Sequence, residues 1–370
     1  MSDFFTLVTH DVYDEDNLLV VLKNVRNTVR SVVLNRNVTI SVLDALALCT
    51  EFQSLFVNNP NMGADAFSRL VRLVEECDTL SSLSVANCNL GDVRVSQLMA
   101  AARPALTKIN LDCNNLTRFP APRHHLRVLN VSNNHFLTLP FCNAGVLVLN
   151  YSTIGEMDLR GVFDLSLDMC HLDDDNAGTI AEYMSGLQRL SVRGNLFASA
   201  GLATLAQALA TNTSLRHLDL SLSNYNHGVW AFAPALQRNK TLQRLTLPSD
   251  VTHACFASIA MALQENPALR YVSAKNCVVQ DTAPLVALLA RNSTITSIHA
   301  VLRDAHGIPE LRVAIARHPH CTVVSPPLNF DASYKLRGVC NRMFAALAHP
   351  KWEKDGDHAI ARRVFLFSQQ

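Results

Sequence analysis

One eleven-residue pattern returns along most of this chain, and any fold must account for it. With x for any residue it reads L-x-x-L-x-L-x-x-N/C-x-L. Leu80, Leu83, Val85, Cys88 and Leu90 fit it, as do Leu106, Ile109, Leu111, Asn114 and Leu116. Further copies start at Leu126, Leu187 and Leu215, and looser ones at Val29, Phe52, Ala144, Val162, Leu242, Leu269 and Ile295. The sixth position falls at Leu34, Val57, Val85, Leu111, Val131, Leu149, Leu167, Val192, Leu220, Leu247, Ala274 and Ala300. A half copy, Cys321 to Val324, closes a series of about twelve units.

The pattern has a physical reading. L-x-L is a short strand whose side chains alternate in and out. One unit cannot bury its own apolar residues, so stacked units share a core and line up their strands in parallel. At the ninth position an Asn or Cys turns inward, where backbone groups need partners. Asn37, Asn114, Asn134 and Asn195 stand there, as do Cys88, Cys170 and Cys277, which gives these cysteines a structural role.

Spacing divides the units. Val131 to Leu149 and Leu149 to Leu167 are each 18 residues, too short for a helix, and Phe119-Pro120 and Leu139-Pro140 suit an extended return. Elsewhere the spacing is mostly 23 to 28, which leaves room for a helix. Ala203, Leu205, Ala206 and Leu209 show amphipathic helical spacing, as do Ile259, Ala260 and Leu263. Asn212, Asn239, Asn266 and Asn292 each stand three residues before the next unit's start, where a left-handed helix terminator is expected.

In these motifs the chain resembles the ribonuclease-inhibitor-like class of leucine-rich-repeat proteins over about residues 29–325. The short middle units look more like the compact type of bacterial and axonemal repeat proteins. The resemblance implies an α/β leucine-rich-repeat solenoid, a horseshoe with a parallel concave sheet, convex helices and some extended segments. It places an N-terminal cap at 1–28, the solenoid at 29–325 and a helical cap or tail at 326–370. In the tail, Leu336, Val339, Cys340, Met343 and Leu347 share helical spacing.

Composition narrows the function. Lys+Arg total 32 against 31 Asp+Glu, which argues against bulk nucleic-acid binding. The start lacks a basic stretch before an apolar one, so no secretory signal is expected, and no apolar run is long enough for a membrane span. Ten cysteines without an export signal are expected to be reduced, in a cytoplasmic protein. No phosphate-binding loop, nucleophile elbow, H-E-x-x-H or C-x-x-C is present, so we expect no enzyme and no cofactor. The potential metal ligands at His318, His320 and Cys321, at Asp173, Asp174 and Asp175, and at His124 and His125 read as ordinary loop and core residues.

The x positions of the pattern face the concave surface and select the candidate site. In the units from Leu187 to Leu269 they include Arg189, Arg193, Arg216, Arg244, Arg270 and Lys275, with His217 and Tyr271. Stacking should put Arg189, His217, Arg244 and Tyr271 in one column, a basic face for an acidic protein surface. In the middle units Val128, Val146, Val148, Tyr151, Phe163 and Met169 take such positions, an apolar patch for contact. The function expected is a non-enzymatic protein-interaction scaffold, one subunit of a larger hetero-oligomeric cytoplasmic assembly of cytoskeletal or flagellar type. The alternative is a regulator of an enzyme, such as a GTPase-activating repeat protein or a ubiquitin-ligase substrate adaptor.

Overall fold

The computed structural model describes residues 5–8, 15–35, 38–222, 228–248, 251–302, 306–318 and 320–324. The expected tail at 326–370 and the ninth-position Asn37 lie outside them. The described residues form two compact units, one of residues up to 147 with 154–158, the other of 148–153 with 159–324.

In the first unit the strands are β1 (Phe5–Val8), β2 (Val29–Asn35), β3 (Ser54–Asn58), β4 (Ser82–Val85), β5 (Lys108–Asn110), β6 (Leu126–Asn130), β7 (His135–Leu139), β8 (Ala144–Val148) and β9 (Thr153–Met157). Its helices are α1 (Glu15–Val25), α2 (Ile40–Ala47), α3 (Ala64–Glu76) and α4 (Gly91–Ala101). In the second unit the strands are β10 (Asp164–Ser166), β11 (Arg189–Ser191), β12 (His217–Asp219), β13 (Arg244–Thr246), β14 (Tyr271–Val278), β15 (Ser297–Val301) and β16 (Thr322–Val324). Its helices are α5 (Asp174–Tyr183), α6 (Ser199–Thr211), α7 (Phe232–Arg238), α8 (His253–Ala262), α9 (Ala283–Arg291) and α10 (Ile308–Ala316).

Each repeat contributes one strand, in parallel and in step with the pattern. Leu55 pairs with Leu83, Leu83 with Ile109 and Ile109 with Leu129 in the first unit. Leu165, Leu190, Leu218, Leu245 and Val272 do the same in the second. The sequence-based cap at 1–28 contains a strand and helix of the same design, since β1 pairs in parallel with β2.

Helices bury one stripe behind the strands. In α3 the buried residues are Phe67, Leu70, Leu73 and Val74, in α6 Leu202, Leu205, Ala206 and Leu209, the three-and-four spacing of an amphipathic helix. Successive helices pack side by side, α1 to α4 in one unit and α5 to α10 in the other. Between Ala101 and Asp174, a stretch described throughout, there is no helix. The short repeats return by extended chain as their spacing requires, with β7 and β9 forming a two-stranded sheet of their own. Gly155 in β9 passes so close to the Leu137 carbonyl that a side chain there would collide with backbone.

Two sets of buried amides hold the repeats in register. The first is the ninth-position set that the pattern predicts. Asn114 accepts from the Cys88 and Leu90 N–H groups of the preceding repeat and donates to Val85 O. Asn134 serves Asn114, Leu116 and Leu111 in the same way, and Asn195 serves Cys170, Leu172 and Leu167. Cys88 and Cys170 hold the same place, their thiols donating to Val57 O and Leu149 O. Burial pushes these thiols, and that of Cys277, up to about 11, 12 and 12.

The second set corrects an expectation. Asn212, Asn239, Asn266 and Asn292 do end helices or the short helical turns that follow them, but their backbones are extended, with φ from −102° to −69°. Their side chains instead bridge repeats. Asn239 donates to Leu209 O and Asn212 O and accepts from the Thr241 and Leu242 N–H groups. Asn266 and Asn292 repeat this one and two units on. His318 takes the next rung, its Nε2 lying 2.7 Å from Asn292 O. Left-handed backbone occurs instead at the eighth and tenth pattern positions, among them Asn87, Cys113, Asn133, Tyr151 and Met169, and Asn89, Asn115 and His171. There the turn after the strand keeps an inter-repeat bond, as from Tyr151 N–H to Asp168 O at 2.8 Å.

Candidate functional site

The face of the second unit's strands that points away from the helices carries most of the singled-out side chains. Third-position residues stack in register: Asp164 against Arg189, then His217, Arg244 and Tyr271. Parallel neighbours lie about 4.8 Å apart, so the column is continuous. The expected alignment of Arg189, His217, Arg244 and Tyr271 is therefore present.

Its electrostatics differ from a row of repelling cations. Arg189 Nη1 donates to Asp164 Oδ2 at 3.2 Å, and Arg193 Nη1 stands 4.0 Å from Asp168 Oδ2. The lower part of the face thus carries its own counter-charges. Burial raises the Asp164 carboxyl above its usual range, opposed by Arg189. It raises Asp168 too, where hydrogen bonds from Ser191 and the charge of Arg193 oppose and Asp219 adds to the rise. The sequence pattern alone did not single out either acid, although carrying the third-position column back by one repeat reaches Asp164.

Further along, the face becomes aromatic and cationic. The Arg244 guanidinium lies 4.0 Å over the Tyr271 ring, and that ring is 5.0 Å from the His299 ring. Burial, then Lys275 and then Arg244 push the His299 pKa down, which favours its neutral form. Lys275 is exposed at the seventh position of the same repeat as Tyr271. His299 belongs to this cluster through the fifth position of the following strand, where Ser273 lies opposite it.

Arg216 and Arg270 do not join the column. They stand at the second pattern position, just before β12 and β14, and line a cavity of about 560 Å³ at the start of the strands. The basic set is therefore divided between two places.

The apolar middle patch is not one surface. Val128 is buried beside Phe56, with Val33 and Val146 packed against them, so Val128 and Val146 are not the exposed contacts the pattern suggested. Val148 and Met169 are half-buried. Tyr151 and Phe163 are the open ones, 36% and 41% exposed. They occupy the eighth and second positions of their repeats, at opposite ends of the strand layer, because side chains six positions apart cannot meet on an extended segment.

Asp173 to Asp175 form a helix start. Asp173 accepts from Asp175 N–H, Asn176 accepts in return from Asp173 N–H, and Asp174 receives the Ala198 N–H. His124 Nε2 is 2.8 Å from Leu106 O. No helix among the described residues is long and apolar enough to cross a membrane.

Comparison with known proteins agrees with this architecture. The family model described as Leucine Rich Repeat matches residues 125–145. No curated protein matches the sequence. The fold is similar to TLR13 in the crystal structure of the TLR13-ssRNA13 complex, at 14% identity and TM-score 0.53, covering 81% of this chain and 44% of that one. It is also similar to the structure of the mouse RP105/MD-1 complex, at 14% identity and TM-score 0.50, covering 89% and 57%. The chain thus spans about half the length of these structures. Stacked parallel strands, inward ninth-position amides and the matched repeat agree: the chain has the leucine-rich-repeat fold.

Proposed function

We propose that this protein is a non-enzymatic scaffold that holds a protein partner on the strand face of its second unit, as one subunit of a larger cytoplasmic assembly. The observation that carries the reading is the Arg244–Tyr271–His299 cluster. Its guanidinium lies over the Tyr271 ring, which is tilted against the His299 ring, on a face where His217, Arg244 and Tyr271 are only half-buried. Tyr and Arg dominate the energetics of protein interfaces because they bring area and directed hydrogen bonds at little entropic cost. Here the stacking already restricts their rotamers. Lys275 adds positive charge at the edge of the cluster, so a partner with an acidic surface fits best. Arg189 and Arg193, already facing Asp164 and Asp168, contribute less.

A protein-binding role is common to repeat solenoids of this type, and the similar mouse RP105 structure is a complex with MD-1. The cytoplasmic setting is proposed from the cysteine usage of the sequence alone. A cytoskeletal or flagellar assembly is the form proposed, on the resemblance of the middle units alone.

The test is affinity capture with wild-type protein, R244A/Y271A and R189A, with bound proteins identified by mass spectrometry. A true partner should fall at least tenfold in recovery with R244A/Y271A and keep at least half with R189A. If no captured protein depends on Arg244 and Tyr271, the reading is wrong.

A further inference from the structure

The second basic place points to a more specific chemistry. Arg216, Gln243, Arg270 and Thr296 hold the second pattern position in four consecutive repeats. Their backbones are joined in sequence, Gln243 N–H to Arg216 O, Arg270 N–H to Gln243 O and Thr296 N–H to Arg270 O. With parallel strands about 4.8 Å apart, Arg216 and Arg270 stand roughly 10 Å apart on either side of Gln243. Lys240 and His320, from the turns before two strands, complete the rim of the same cavity, and no residue lining it is acidic.

This end of the repeats should be poor in anion affinity, because helix C-termini present unpaired carbonyls. The buried asparagines reduce that obstacle. Leu209 O, Leu236 O and Leu263 O already accept from Asn239, Asn266 and Asn292. Arg216 is anchored by the Thr213 and Thr241 carbonyls through Nη1, which leaves its other donors to turn outward.

We propose that this cavity is a recognition site for a phosphomonoester carried on a polypeptide, that is, a phosphorylated segment of a partner. Two arginines that flank Gln243 and line one cavity bring guanidinium forks suited to the several acceptor oxygens of a phosphoryl group, since Arg favours bidentate contacts. A phosphomonoester carries about −1.5 to −2 charges near neutral pH, a closer balance to two arginines and a lysine than a single carboxylate gives. The volume, about 560 Å³, far exceeds one phosphate group and leaves room for the residues on either side. The polypeptide source rests on the scaffold reading above.

Isothermal titration calorimetry tests it with a Gly/Ser-rich peptide carrying one central phosphoserine, its Ser and Glu counterparts, inorganic phosphate and a single-stranded oligoribonucleotide. The phosphoserine peptide should bind at least tenfold more tightly than the Glu peptide. R216Q/R270Q should abolish that preference, and R216K/R270K, which keeps charge without forks, should lose most of it. M261A, on an exposed helix position outside the cavity, should leave it unchanged. Equal affinity for the Glu peptide, wild-type binding by R216Q/R270Q, or no binding overturns the proposal. Preference for the oligoribonucleotide, or equal affinity for inorganic phosphate alone, overturns the phosphopeptide assignment. If the pocket fails while capture still depends on Tyr271, the scaffold reading stands without it. The reverse pattern removes the strand-face site and leaves the pocket.

Discussion

Replacing Asn239 by Ala tests the inter-repeat amide ladder most directly. Asn239 is 1% exposed and its side chain makes five hydrogen bonds, donated at 2.8 and 2.9 Å, accepted from N–H groups at 2.9 and 2.7 Å and from the Thr241 hydroxyl at 3.4 Å. The two sides of the amide do not count equally. Leu209 O also accepts from Asn212 N–H, and Asn212 O from the Thr241 hydroxyl, each at 3.2 Å, so both carbonyls keep a partner. Among the described residues no other acceptor serves the Thr241 and Leu242 N–H groups. Two orphaned N–H groups at roughly 1–3 kcal/mol each suggest a loss of about 2–6 kcal/mol. With a urea m-value near 3 kcal/mol/M, the far-UV CD unfolding midpoint should fall by roughly 0.7–2 M. N239D keeps the acceptor oxygen but sets a carboxylate against two carbonyls. It should be at least as damaging at pH 7 and recover partly at pH 4, where a protonated carboxyl can donate once. H318A, at the last rung, removes one bond and should cost only about 1 kcal/mol. A loss under about 1 kcal/mol for N239A, or equal losses for N239A and H318A, would refute the account of the ladder.

Other outcomes follow from the same structure. Asp168 has a folded-state pKa raised by burial, so its ionisation weakens the fold as pH rises through that value. D168N keeps an acceptor for Ser191 and Arg193 N–H and does not titrate, so its thermal midpoint relative to wild type should rise between pH 4 and pH 7. A flat difference would contradict the assignment. In native protein, Cys88, Cys170 and Cys277 should resist a thiol reagent at pH 8, whereas exposed Cys113 should react first, as mass mapping of labelled peptides would show. C170N should be tolerated within about 1 kcal/mol in chemical denaturation, since Asn195 does the same work one repeat on. G155A should release β9 from β7, seen as faster amide exchange at 135–139 without loss of the main strands.

The fold was legible because the pattern encodes a repeated burial. Each sixth-position residue, from Leu34 to Ala300, is buried, and the ninth-position Cys and Asn act as inward polar partners. What the pattern misplaces depends on groups outside the eleven residues. Asn212 and its successors look like left-handed terminators because one chain segment alone gives no sign that the neighbouring repeat's carbonyls stand within reach. The eighth position admits Tyr151 and Met169 in left-handed backbone because the next repeat fixes that turn by hydrogen bonding, which overrides local preference. The alignment of the basic column was legible from register alone. Its partial neutralisation was not, because the counter-charges, Asp164 and Asp168, come from a repeat with a looser match to the pattern.

These errors share a physical origin, and it separates what stabilises the protein from what can recognise a partner. Inward positions are fixed by contacts between repeats, so a change at Asn195 or Asn239 is felt in the preceding repeat. Outward positions answer to neighbouring side chains and turn carbonyls, which lets Arg189 meet Asp164, Arg244 meet Tyr271 and Arg216 anchor to a turn without altering the strands beneath. The second and third pattern positions are consecutive in sequence but point to different places, one to the cavity at the strand starts and one to the open face. Charge can therefore vary at either site independently of the other and of the fold. Loss of binding in R216Q/R270Q or R244A/Y271A, with an unfolding midpoint within about 0.5 kcal/mol of wild type, is the behaviour this separation requires. A comparable loss of stability would mean that the outward residues also hold the repeats together, and that recognition and folding are not separable here.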